Sequence, residues 1–154
     1  MYIPQLWEGQ VRARDAMATA EFEFRRAHSL QPSDPRPLVN LAEFVTVGSS
    51  PSNFTKAQLV LEEALRCAPQ SASAMGAYGL LLWMRGGDTG ASAEQILERA
   101  VELEPRNVKT LCGYARVLQG SGRRREALKT LQIARDLALG GPLELFVAHE
   151  AEGF

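Results

Sequence analysis

One pattern limits what this chain can fold into: a helical stripe of alternating small and large side chains recurs every 34 to 37 residues. Ala20, Phe24, Ala27 and Leu30 lie four, three and three residues apart, which puts them on one face of a helix. The stripe returns as Ala57, Leu61, Ala64 and Cys67, as Ala93, Leu97, Ala100 and Leu103, and as Ala127, Leu131, Ala134 and Leu137. A second stripe runs between these: Leu38, Leu41, Ala42 and Val45, then Met75, Tyr78, Gly79 and Leu82, then Leu111, Tyr114, Ala115 and Leu118. No single helix pair of this size buries its apolar stripe alone, so the pairs must stack on one another.

The second stripe belongs to a helix A and the first to a helix B. From the end of each B stripe to the middle of the next A helix is always eleven residues: Leu30 to Leu41, Cys67 to Tyr78, Leu103 to Tyr114. All variation in length therefore falls in the A-to-B turns. Two of these, Gly48–Asn53 and Gly86–Ser92, read as mobile loops on one edge of the array, while the third, around Gly120-Ser-Gly122, is short. Pro32, Pro69 and Pro105 stand just past the B stripes, with Pro142 in the matching place, and a proline there cannot continue a helix. Small residues are expected where the helices of a pair cross, at Ala42/Ala57, Gly79/Ala93 and Ala115/Ala127, because only a small side chain lets two axes approach. Pro142–Glu152 reads as a solitary cap helix with Ala148 at its core position. Pro4–Asp15 reads either as a degenerate A helix or as the first turns of one long helix ending at Leu30.

These residues resemble the tetratricopeptide repeat family, with its ~34-residue helix–turn–helix unit, small and large residues at fixed places, and closing proline. The resemblance covers Pro35 to Leu139 as three repeats. It implies an all-α, right-handed superhelix of about three helix pairs, with a flanking N-terminal helix and a C-terminal cap helix. The expected divisions are 1–34 (degenerate repeat or helix), 35–71, 72–107, 108–141 and 142–154. The sequence departs from the family in lacking a tryptophan at the A-helix starts, in keeping the small glycine only at Gly79, and in its two enlarged turns.

Composition excludes several functions. At 45% hydrophobic and 23% charged residues the chain is of globular type, and a net charge of −1 gives no bulk attraction to nucleic acid or anionic membrane. The longest apolar run, Leu80–Met84, is too short to span a bilayer. The N-terminal residues, with Glu8, Asp15, Glu21 and Glu23, do not read as a secretory or transit peptide. Cys67 and Cys112 read as reduced thiols, which together suggest an intracellular, cytoplasmic protein. His28 and His149 lack a metal-ligating partner at helical spacing, and no cofactor or metal is expected. Gly86-Gly-Asp-Thr-Gly lacks the lysine of a phosphate loop. Glu62-Glu63 and Arg123-Arg124-Arg125 read as solvated helix surface. No residue is a candidate for catalysis, and the chain is not expected to be an enzyme.

The resemblance places the working surface on the concave face of the A helices. That face carries Arg36, Val39, Asn40, Glu43 and Val47, then Ser73, Ala77, Leu80, Trp83 and Met84, then Lys109, Cys112, Gly113, Arg116 and Gly120. A protein or peptide partner is expected there, with Leu80, Trp83 and Met84 as an apolar strip and Arg36, Glu43, Lys109 and Arg116 as a rim of mixed sign. The alternative is a purely structural module of a larger complex, its groove filled by a neighbouring chain. Some members of the family clamp acidic chaperone tails with Lys, Asn, Asn, Lys and Arg. Here those places hold Val39, Glu43, Ala77, Lys109 and Gly113, so that partner is disfavoured. A helical-repeat RNA code is absent as well, since Asn40, Ala77 and Gly113 at equivalent places form no base-reading set.

Overall fold

The computed structural model describes residues 4–47, 51–86, 90–139, 141, 147–149 and 151. These residues form helices α1 Pro4–Leu30, α2 Arg36–Thr46, α3 Pro51–Cys67, α4 Ala72–Arg85, α5 Gly90–Leu103, α6 Val108–Gly120 and α7 Arg124–Ala138. Residues 147–149 and 151 are helical too, and there is no strand among the described residues. Helices α2/α3, α4/α5 and α6/α7 pack as pairs, and the A helices α2, α4 and α6 lie side by side in one row. This is the expected helix-pair solenoid.

The helices begin and end where local chemistry dictates. Ser71 caps α4 by accepting the Ala74 N–H at 3.2 Å, and Asn107 caps α6 by accepting the Thr110 N–H at 3.1 Å. Asp34 stands at the same place in the first repeat and accepts the Arg36 N–H at 2.9 Å. The chain reverses after α4 and α6 through Gly86 and Gly122, whose φ angles of 74° and 78° favour a residue without Cβ.

Of the two forms expected for the N-terminal segment the structure has the second, one 27-residue helix running to Leu30. With no A helix of its own to cover it, Ala27 is exposed and Leu30 is 76% exposed, whereas Ala64, Ala100 and Ala134 are fully buried. Phe24 still packs on the first core cluster. The two long turns are shorter than expected, because α3 already begins at Pro51 and α5 at Gly90. Proline's fixed φ suits the first turn of a helix. Positions 48–50 and 87–89 of those turns lie outside the described residues, as do 142–146, 150 and 152–154 of the cap segment. In the cap it is Val147, 1% exposed, that joins the last core cluster, while Ala148 is exposed, a shift of one residue.

Helix α4 is also turned from the expected stripe. Gly79 is buried, but Met75, Tyr78 and Leu82 are only half-buried, and Ala72, Ala74, Gly76 and Leu81 complete the buried set. The cause is its surroundings. Helix α4 touches α2 and α6 in its own row as well as α3 and α5 below, so residues on three sides are covered. Between α3 and α5 an apolar furrow stays open, lined by Leu65, Met75, Tyr78 and Ile96.

Glycine makes the close approaches possible. A Cβ on Gly79 would lie 2.8 Å from Leu97 Cγ and 3.1 Å from the Ala93 carbonyl oxygen. One on Gly76 would meet Thr110 Oγ1 at 2.8 Å, and one on Gly120 would meet the Trp83 ring at 2.9 Å. At Gly113 the nearest atom is Leu97 Cδ2 at 3.6 Å, an ordinary contact. Gly79→Leu should therefore destabilise the protein by about 1–3 kcal/mol or more, the range of overpacking a core. Gly113→Ala should be neutral or stabilise by up to ~1 kcal/mol through helix propensity. Urea denaturation of the two variants checks both, and equal destabilisation would contradict this packing.

Candidate functional site

The three A helices present a concave face whose centre is an open cleft of about 240 Å³. Helix α4 supplies the floor. Its residues there are Gly76, Ala77 and Leu80, with Gly113 of α6 beside them. The floor is hollow because Gly76, Ala77 and Gly113 carry little or no side chain, and a glycine stands at position 76 because α4 and α6 meet closely there, at Thr110. One sequence constraint thus both joins the helices and hollows the surface above them.

Of the anticipated groove residues, Arg36, Val39, Asn40, Glu43, Leu80 and Lys109 line this cleft together. Val39 contributes only an edge, being 5% exposed. Met84 lines a smaller adjoining hollow with Glu43, Thr46 and Leu80, and is 39% exposed. Trp83 and Arg116 are half-buried and lie outside the lining of both hollows. The Trp83 indole rests against Gly120, so it ties the end of α4 to the end of α6. Cys112, expected on the concave face, is instead 1% exposed in the last core cluster, because α6 is covered by α4, α5 and α7 at once.

Sequence reasoning missed three lining residues: Gly76, Asn107 and Thr110. The Asn107 amide nitrogen donates to Ser73 Oγ at 3.1 Å, joining the starts of α4 and α6 at one end of the cleft. Its position as helix cap, one repeat after Ser71, was the available signal. Thr110 is 4% exposed with its hydroxyl beside Gly76, and its burial follows from the glycine opposite it.

The electrostatics are local. Asp34 holds the Arg36 guanidinium through Nε and Nη2, with contacts of 2.7 to 3.0 Å. This hydrogen-bonded pairing keeps the Asp34 carboxyl below its ordinary range and raises Arg36. Across the cleft, Lys109 Nζ of α6 lies 3.0 Å from Glu43 Oε2 of α2. On the opposite face the B helices are braced by charge: Glu21 pairs with Lys56, Arg25 with Glu63, and Arg123 with Glu94. Among the described residues no group of three or more His, Cys, Asp or Glu is placed to hold a metal ion. No helix among them is long and apolar enough to cross a membrane.

No family model and no curated protein matches the sequence. Solved structures do. Yeast Tom70 superposes with a TM-score of 0.63 at 22% identity over 84% of this chain, which spans 28% of the Tom70 chain. The type III secretion translocator chaperone SycD of Yersinia enterocolitica matches at a TM-score of 0.59 and 19% identity, over 77% of this chain and 89% of that one. YrrB, described as a TPR protein with an unusual peptide-binding site, matches at 0.55 and 18%, over 93% and 70%. At such identities the likeness concerns architecture, and with the helix pairs and their glycine crossings it identifies this chain's fold as that of the tetratricopeptide repeat.

Proposed function

We propose that this chain is a non-catalytic scaffold that docks a protein segment on its concave face. The observation that carries this reading is the cleft above α4, where Asn40, Glu43, Ala77, Leu80 and Lys109 from three different repeats meet around one hollow. The repeats at 35–71, 72–107 and 108–141 each supply one wall or the floor. Arg36 and Val39 border the cleft at one end, and Met84, Trp83 and Arg116 extend the surface along the later turns of α4 and α6. A peptide-binding site is named for YrrB, which shares the fold.

An acidic chaperone tail is a poor fit for this groove. Where the family's clamp has its first lysine this chain has Val39, nearly buried, and Glu43 adds a negative charge where the clamp has an asparagine. The one matching cation, Lys109, already faces Glu43. Two cysteines that form no disulfide, one of them the exposed Cys67, fit a protein of the reducing cytoplasm.

Affinity capture with the intact chain, followed by mapping of the bound segment with peptides, tests the proposal. Ala77→Glu, which places a charge on the floor, should weaken the captured complex about tenfold or more while the chain stays folded at the temperature of capture, with a melt lowered only slightly because Ala77 also packs on the first core cluster. Leu128→Ser, at a 47% exposed position of α7 outside the cleft, should change neither. Binding lost with Leu128→Ser and kept with Ala77→Glu would place the docking surface elsewhere. Trp83→Ala, by contrast, should lower the melting temperature, because the indole packs on Gly120. Differential scanning calorimetry reads that shift, and an unchanged melt would show the ring contributes nothing to the array.

A further inference from the structure

We propose that the Glu43–Lys109 ion pair is a latch lying across the concave cleft, which any segment docking on the floor must displace. The pair joins α2 to α6, the first and third helices of the A row, and so passes over the helix between them. Its two ends line the same cleft as Gly76, Ala77 and Leu80, the floor residues of α4. A contact of 3.0 Å between side chains rooted in non-adjacent helices requires both to reach inward over that floor. The small side chain of Ala77 leaves the space beneath them.

The latch is weak, which suits a device that opens. Both side chains remain about half exposed, at 54% for Lys109 and 45% for Glu43. Exposed pairs of this kind shift an equilibrium by a few-fold and are screened by salt. Arg36 does not compete for Glu43, because Asp34 holds its guanidinium on two nitrogens. The pair narrows the way to the floor while it is formed and widens it when it parts. The inference concerns the covering alone, so its failure would leave the docking proposal to be judged by capture.

The test is the accessibility of the floor. In the full chain with Cys67→Ser, Ala77→Cys places a thiol beneath the latch, while Cys112 is buried at 1% exposure and stays inert. The probe is fluorescein maleimide, and the readout is its rate of reaction at pH 7. Glu43→Gln and Lys109→Met should each raise that rate about two- to fivefold. Molar sodium chloride should raise it in the parent and leave it unchanged in Glu43→Gln. The exchanged pair, Glu43→Lys with Lys109→Glu, should restore the slow rate, and thermal melts confirm that each variant is folded. Rates that differ by less than about 1.5-fold overturn the latch. So do changes of opposite sign in Glu43→Gln and Lys109→Met, which would mark a local charge effect on the thiol and not a cover.

Discussion

Helix α4 meets α5 at Gly79 and α6 at Gly76, and at both places an added methyl group would lie 2.8 Å from a neighbouring side-chain atom. The rest of the structure follows from those two contacts. They lie three residues apart, on adjoining parts of one helix face, and there α4 is drawn close to its own pair and to the next repeat simultaneously. A helix held in this way on several sides needs few large side chains to be buried, and α4 buries two alanines, two glycines and only one leucine. Stability in the middle of the array comes from proximity, through many weak dispersion contacts, more than from the size of any one group. At the two ends, where α2 and α6 each have an open side or a cap, leucines and valines do that work.

Closeness in the A row has a geometric counterpart in the B row. The A helices touch one another, while the B helices contact only A helices along their backbones and are connected among themselves by long charged side chains. Such exposed pairs add little energy individually, but they span a gap that apolar side chains would leave open to water. Between α3 and α5 the apolar furrow lined by Met75 and Tyr78 stays open. The array is therefore tight on its concave side and loosely stitched on its convex side.

The helix pairs, their order and their buried alanines were legible in the sequence because a stacked repeat imposes the same small-residue positions each time. Gly79 was found that way. Gly76 and Thr110 were not, since contact between successive A helices depends on the rotation of each helix within the stack, which a single periodic stripe does not fix. The same rotation moved Cys112 inward and turned Met75 and Tyr78 partly outward. At the N-terminus the stripe of Ala20, Phe24, Ala27 and Leu30 matched the other repeats, yet of these four Phe24 is the one that packs on the first core cluster, together with Met17 two turns earlier. A pattern shows what a helix is able to bury; the presence of a partner decides whether it does. The groove rim was partly legible, as charged residues on the face left over, but the pairing of Glu43 with Lys109 needed the distance between α2 and α6.

What unites packing and function is that the small residues joining the A helices also form the floor of the concave cleft. Site-specific photo-cross-linking tests this most directly. A benzophenone side chain introduced at Ala77 would stand on that floor, and one at Leu128 would stand on α7, away from the cleft. With a bound protein segment identified by capture, irradiation should join it to the probe at position 77 and leave the probe at 128 unreacted. Adducts formed only at 128, with the complex intact, would contradict the account.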